Sequence, residues 1–155
     1  MLVEFNNISD DSRLWIYASD KKLSHNQEKC IFDKISTHIK QWKAHDIPLK
    51  GSFKILDGYF IIIALDESYA SASGCSIDTL QNLISFLEKE LSITLFNRLN
   101  IFCRIENEIV IFPSSNLSKN VSPNTLFYDL TISKKSHLSS FLKPISEGWC
   151  FSLLN

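Results

Sequence analysis

At 155 residues the chain has the length of a single domain, enough to bury roughly 70% of the surface its unfolded form exposes. A net charge of −1 argues against a nucleic-acid or anionic-membrane surface. Eleven Phe and three Trp beside only four Gly and four Pro argue against a disordered or loop-rich scaffold.

Leu14-Trp15-Ile16-Tyr17 is an apolar run that fits a first strand. Ser24 then opens a helix, because Gln27 three residues later completes a capping box. Ile31, Ile35, Ile39 and Trp42 recur at helical spacing and mark its buried stripe. His45 and Asp46 lie past its end, and Pro48 prevents its continuation. Ser52–Leu56 and Tyr59–Leu65 are strand-like runs joined by Asp57-Gly58, a strong hairpin signal because a type I′ turn needs positive φ at both positions. Phe60–Leu65 is apolar without alternation, as expected of a strand covered on both faces. A small, polar loop follows, then a helix with Leu80, Leu83, Ile84, Leu87 and Leu91 on one face. Ile101–Ile105 and Ile109–Phe112 read as another hairpin turning at Asn107.

This order predicts an α+β fold: a ferredoxin-like βαββαβ core with one extra strand. It implies one domain over 1–155, with the core at about 12–113 and a carboxyl-terminal extension at about 114–155. Such a sandwich leaves one sheet face open, so the extension or a second subunit should cover it. Leu117, Leu126, Phe141, Trp149 and Phe151 supply apolar surface for that purpose.

Four cysteines (Cys30, Cys75, Cys103, Cys150) are widely spaced, with no C-x-x-C pair. The start MLVEFNNISDD lacks the basic and apolar regions of a leader. No apolar run approaches the ~20 residues that span a bilayer. The expected setting is a cytoplasm with reduced thiols, in which the Asn-x-Ser sequons at Asn7, Asn116 and Asn120 are chance.

The chemically most suggestive stretch is Asp66–Asp78, which leaves a buried strand and enters a helix. Unpaired amides at a helix start favour anions, and the same field favours a thiolate. Cys75 sits just before the expected cap at Ser76 or Asp78, with Asp78 and Gln81 as a reciprocal pair, and Gly74 allows a tight turn or close approach. In a catalytic reading Cys75 is the nucleophile and His45 its base, although the topology would set those two helix ends on opposite edges. In a binding reading Asp66, Ser73, Gly74, Ser76, Asp78 and Arg98 contact a small anionic ligand. In the plainest reading Cys75 is a small residue in a capping loop. Asp66-Glu67 stands at a strand's carboxyl end, yet adjacent strand residues face opposite sides, so one pocket receives only one of them. No metal motif is present, and neither metal nor cofactor is expected. His25, His38 and His137 read as surface residues.

Arg13–Tyr17, Trp42–His45, Leu49–Phe53, Ala72–Asp78 and Phe96-Asn97-Arg98 together resemble a family of short bacterial proteins that commonly carry the name "ABC transporter ATPase". Asn97 stands where Asp would be expected, and the likeness weakens after about Phe112. The resemblance implies kinship and no defined chemistry. The name itself fails on residues: none of Gly51, Gly58, Gly74 and Gly148 belongs to a G-x-x-x-x-G-K-[ST] loop, and Ala72-Ser73-Gly74-Cys75 shares only Ser-Gly with a transporter signature. The expected function is therefore a small-ligand or protein-interaction module, as a homodimer, with a Cys75-dependent enzyme as the alternative.

Overall fold

The computed structural model describes residues 1–155. Two compact units divide the chain. The first holds Met1–Phe96 with Ser133–Ser136, and the second holds Asn97–Ile132 with His137–Asn155. Neither boundary coincides with the division expected near Pro113.

In the first unit, β1 (Arg13–Ala18) leads to α1 (His25–Gln41). Ser24 Oγ accepts from the Gln27 N–H at 3.1 Å and Gln27 Oε1 accepts from the Ser24 N–H at 2.9 Å, so the predicted capping box starts this helix. Ile31, Ile35 and Ile39 are wholly buried along its inner stripe. After Gln41 comes a small hairpin that was not anticipated, β2 (Lys43–Ala44) with β3 (Ile47–Pro48). Its tip is His45-Asp46, both at positive φ (50° and 65°). Strands of two residues carry no readable alternation, which is why only Pro48 registered as a signal.

β4 (Lys50–Leu56) and β5 (Phe60–Asp66) form the expected hairpin, with Asp57 and Gly58 at φ 55° and 73°. The sheet order is β1-β5-β4, all antiparallel. β5 is buried along its whole length, as its unbroken apolar run predicts. On one face Ile61, Ile63 and Leu65 share a core with α1 and with Leu80, Ile84 and Leu87 of α2 (Gly74–Leu91). Each such side chain contributes roughly 1.5–3 kcal/mol by leaving water, so this core is the main source of the unit's stability. On the other face Phe60, Ile62 and Ala64 are equally buried.

A ferredoxin-like sheet would carry a fourth strand beside β1. The strand predicted for that place, β6 (Asn100–Ile105), instead founds a second sheet. The β1 edge is taken by Ser133–Ser136. Leu14 N–H donates to Ser133 O (2.9 Å), Lys135 N–H to Ser12 O (2.9 Å), and Arg13 bridges Lys134 antiparallel. Local hydrophobicity shows that β6 is a buried strand, but not which sheet it joins.

In the second unit, β6 pairs with β7 (Glu108–Pro113) across a turn whose Glu106 and Asn107 have φ 52° and 63°. β8 (Leu126–Tyr128) and β9 (Leu142–Pro144) complete the order β7-β6-β8-β9. The extension expected to cover the first sheet therefore supplies an edge segment to it and two strands to another, while Trp149 and Phe151 are each 48% exposed. Ile101, Cys103, Leu117, Phe127, Ile145 and Cys150 form this unit's core. Lys143 Nζ bonds Asp129 Oδ2 at 2.7 Å. Burial alone would raise the Asp129 carboxyl, but hydrogen bonds from Lys143 and Thr131 outweigh it and hold it below the usual carboxylate range.

Candidate functional site

The loop from Asp66 to Ser73 is held by its own carboxylates. Asp66 is buried; its Oδ1 accepts the Ser68 N–H at 3.0 Å, and Lys50 Nζ lies 3.5 Å from Oδ2. The hydrogen bonds from Ser68, with Lys50 adding, overcome burial and lower its pKa. Glu67 Oε2 accepts the Ala72 N–H at 2.9 Å, and its other oxygen is 4.0 Å from the Arg13 guanidinium. That exposed pair contributes little. The adjacent carboxylates thus pin the two ends of one loop.

The cap of α2 lies earlier than expected. Ser73 is the N-cap: its Oγ accepts the Ser76 N–H (3.1 Å), and Ser76 Oγ accepts the Ser73 N–H (2.7 Å). A serine stands where Glu or Gln usually closes such a box, and that substitution hid it. Cys75 consequently lies inside the first turn, exposed, rather than before the cap. Asp78 is exposed too and does not cap. Gly74 serves no close approach, since a Cβ there would meet nothing within 4 Å. The side chains of Asp66, Ser73 and Ser76 are therefore occupied by the fold itself.

The two helix ends expected on opposite edges meet. Trp42 Nε1 donates to Ser76 O at 2.8 Å, and at the far end Gln27 Nε2 donates to Leu91 O at 3.2 Å. The helices run antiparallel because β1 and β5, which they follow, do. His45 thus belongs to the hairpin next to the start of α2, but it is exposed at the tip, and no hydrogen bond joins it to Cys75. Arg98 lies in the second unit and is exposed.

What the junction of α1 and α2 does hold is a pocket of about 280 Å³, lined by His38, Gln41, Trp42, Lys43 and Thr79. The His38 ring lies 5.5 Å from that of Trp42, and its Nε2 is buried with no hydrogen-bond partner. Burial pushes the His38 pKa down, so the ring is neutral at pH 7. None of these residues except Trp42 was prominent in the sequence. The available signal was spacing: His38 is four residues before Trp42 and three after Ile35, on the edge of the apolar stripe. No three His, Cys, Asp or Glu side chains converge as metal ligands. No helix is long and apolar enough to cross a membrane. Compared with protein-family models, curated proteins and solved structures, the chain matches none.

All four cysteines are free thiols, and exposure ranks them. Cys75 is exposed, Cys30 half-buried, and Cys103 and Cys150 buried. Burial pushes the Cys103 thiol up to about 12 and raises that of Cys150. Iodoacetamide at pH 8 followed by intact-mass analysis should label Cys75 first and Cys30 next. Cys103 and Cys150 should react only on unfolding; early labelling of either would contradict their burial.

Proposed function

We propose that this chain is a binding module for a small polar or anionic ligand, seated in the pocket between the end of α1 and the start of α2. The observation that carries the reading is the His38 Nε2, a buried polar atom without a partner beside the cationic Lys43. A ligand oxygen or hydroxyl at that nitrogen would satisfy it, with the Lys43 ammonium compensating negative charge and Trp42 forming an apolar wall. Catalysis by Cys75 with His45 is the weaker reading, because an exposed thiol without a bonded imidazole lacks its base. ATP hydrolysis has no place in it, since the chain has no phosphate loop.

Within the same proposal the first unit is a ferredoxin-like core that kept the β1-β5-β4 arrangement and lost its fourth strand to the second unit. Kinship with the short bacterial proteins, cytoplasmic residence and a homodimer belong to this reading as well.

The test is an NMR titration of the ¹⁵N-labelled chain with phosphate, sulfate, malonate and succinate. Saturable shifts of the Trp42 indole and His38 ring signals are expected, abolished in His38→Phe and weakened at least tenfold in Lys43→Ala. Absence of saturation with every probe at tens of millimolar, or unchanged affinity in both variants, would discard the proposal.

A further inference from the structure

β4 is an edge strand of the first sheet. At one point the chain covers that edge itself: Gly51 N–H donates to Met1 O (2.9 Å), and Val3 N–H donates to Gly51 O (3.0 Å). Leu2 and Gly51 form a parallel bridge there. Main-chain groups in an antiparallel pair point alternately toward and away from the partner. Since those of Gly51 point away from β5, those of Phe53 and Ile55 do too. No backbone bond from another part of the chain reaches either residue.

Beside this bare stretch runs the first half of α1. An open groove of about 470 Å³ separates the two, lined by Glu28, Lys29 and Phe32 on the helix and by Phe53, Lys54 and Ile55 on the strand, with His25 at its end. The Phe32 ring is 5.1 Å from that of Phe53, and Phe32 is 55% exposed. A single exposed aromatic needs no explanation. Here it coincides with unused strand-pairing groups, and that combination specifies the backbone conformation of an occupant. A helix or small molecule cannot bond four alternating edge groups, whereas an extended chain can. Lys54 is the residue type that normally keeps edges from pairing, but its ammonium is drawn over the Phe5 ring at 4.8 Å. On the helix side Lys29 is exposed and offers a cation to an acidic side chain of the occupant.

We propose that an extended segment of a protein partner adds to β4 at Phe53–Ile55. In this arrangement one apolar side chain rests on Phe32 and an acidic neighbour faces Lys29. The site is separate from the pocket of the proposed function, and the partner's main chain supplies most of the recognition.

Random octapeptides displayed on phage would be selected on the full chain, and enriched sequences made as synthetic peptides for NMR and calorimetry. The expected sequences alternate and combine a large apolar residue with an adjacent Asp or Glu. Their binding should shift the Phe53 and Ile55 amides. Affinity should fall at least tenfold in Phe32→Ala, and likewise in Ile55→Pro, which removes an outward N–H without touching the β5 ladder. Phe32 is exposed, so its variant keeps the test valid even where the proline variant misfolds. The proposal is overturned by failure to enrich any peptide, by binding that leaves both amides unshifted, or by full affinity in Phe32→Ala. Concentration-dependent shifts of the same amides without peptide would also overturn it, assigning the edge to a second copy of the chain.

Discussion

Replacing Gly148 with alanine should destabilise the protein by about 1–3 kcal/mol, the usual cost of overpacking a filled core. The glycine has an ordinary extended backbone, φ −116° and ψ 172°, so no conformational preference requires it. The requirement is space. A Cβ at 148 would lie 2.1 Å from Phe127 Cζ and 2.3 Å from Cε1, distances no real contact tolerates. Phe127 cannot easily withdraw, because it is 1% exposed in the core of the second unit. Phe127→Leu alone should cost about 1–3 kcal/mol through lost packing. Combined with Gly148→Ala, the smaller side chain frees the space the new methyl needs, so the double variant should be more stable than the sum of the singles predicts. Urea denaturation followed by circular dichroism measures all three. Strict additivity would mean that Phe127 is not what the new methyl strikes.

The second large effect is expected at Trp42. Trp42→Ala should cost about 3–5 kcal/mol, the range for removing a buried large aromatic. The side chain is 3% exposed, lies edge-on to Trp15 at 6.0 Å, and shares the pocket with His38. Its Nε1–H bond to Ser76 O ties the end of α1 to the first turn of α2. Trp42→Phe retains much of the apolar contact and forfeits that bond, which is worth about 0.5–1.5 kcal/mol together with some packing loss. Ser76 O keeps a hydrogen bond from Thr79 Oγ1 at 2.8 Å and is not orphaned. The phenylalanine variant should therefore lie well above the alanine variant in thermal and urea stability. Equal losses in the two would assign the effect to the indole bond and refute the packing argument.

Local chemistry was legible where the signal and the structure share one scale. Ser24 with Gln27, and Asp57 with Gly58, are decided within four residues, and both features formed as read. The burial of β5 was readable for the same reason, as an unbroken apolar run. The α2 cap, expected at Ser76 or Asp78, lies three or five residues earlier at Ser73, because Ser76 occupies a position where Glu or Gln is the recognisable partner. The assignment of β6 to a second sheet was invisible in principle. Ile101, Phe102 and Cys103 are buried there and would be equally buried beside β1. The meeting of α1's end with α2's start was misjudged from topology, although antiparallel β1 and β5 require antiparallel helices. His38 reads as a surface residue because it lies outside the strongest apolar positions, yet its spacing from Trp42 places it at the margin of the buried stripe.

The segment Ser133–Ser136, which closes the β1 edge, has a consequence for how the protein is made. Leu14 and its partner Ser133 are separated by most of the chain. At about 5–20 residues per second of synthesis, β1 waits on the order of ten seconds for the backbone that completes it. During that interval α1, α2 and the β4–β5 ladder can form from residues already made, but the β1 edge lacks the segment that closes it. Closing a loop of that length is entropically slow to reward, so the last step of folding the first unit is a long-range one. Chains halted before Ser133 would carry an open strand edge, the feature that invites pairing with other chains, until Ser133–Ser136 is in place.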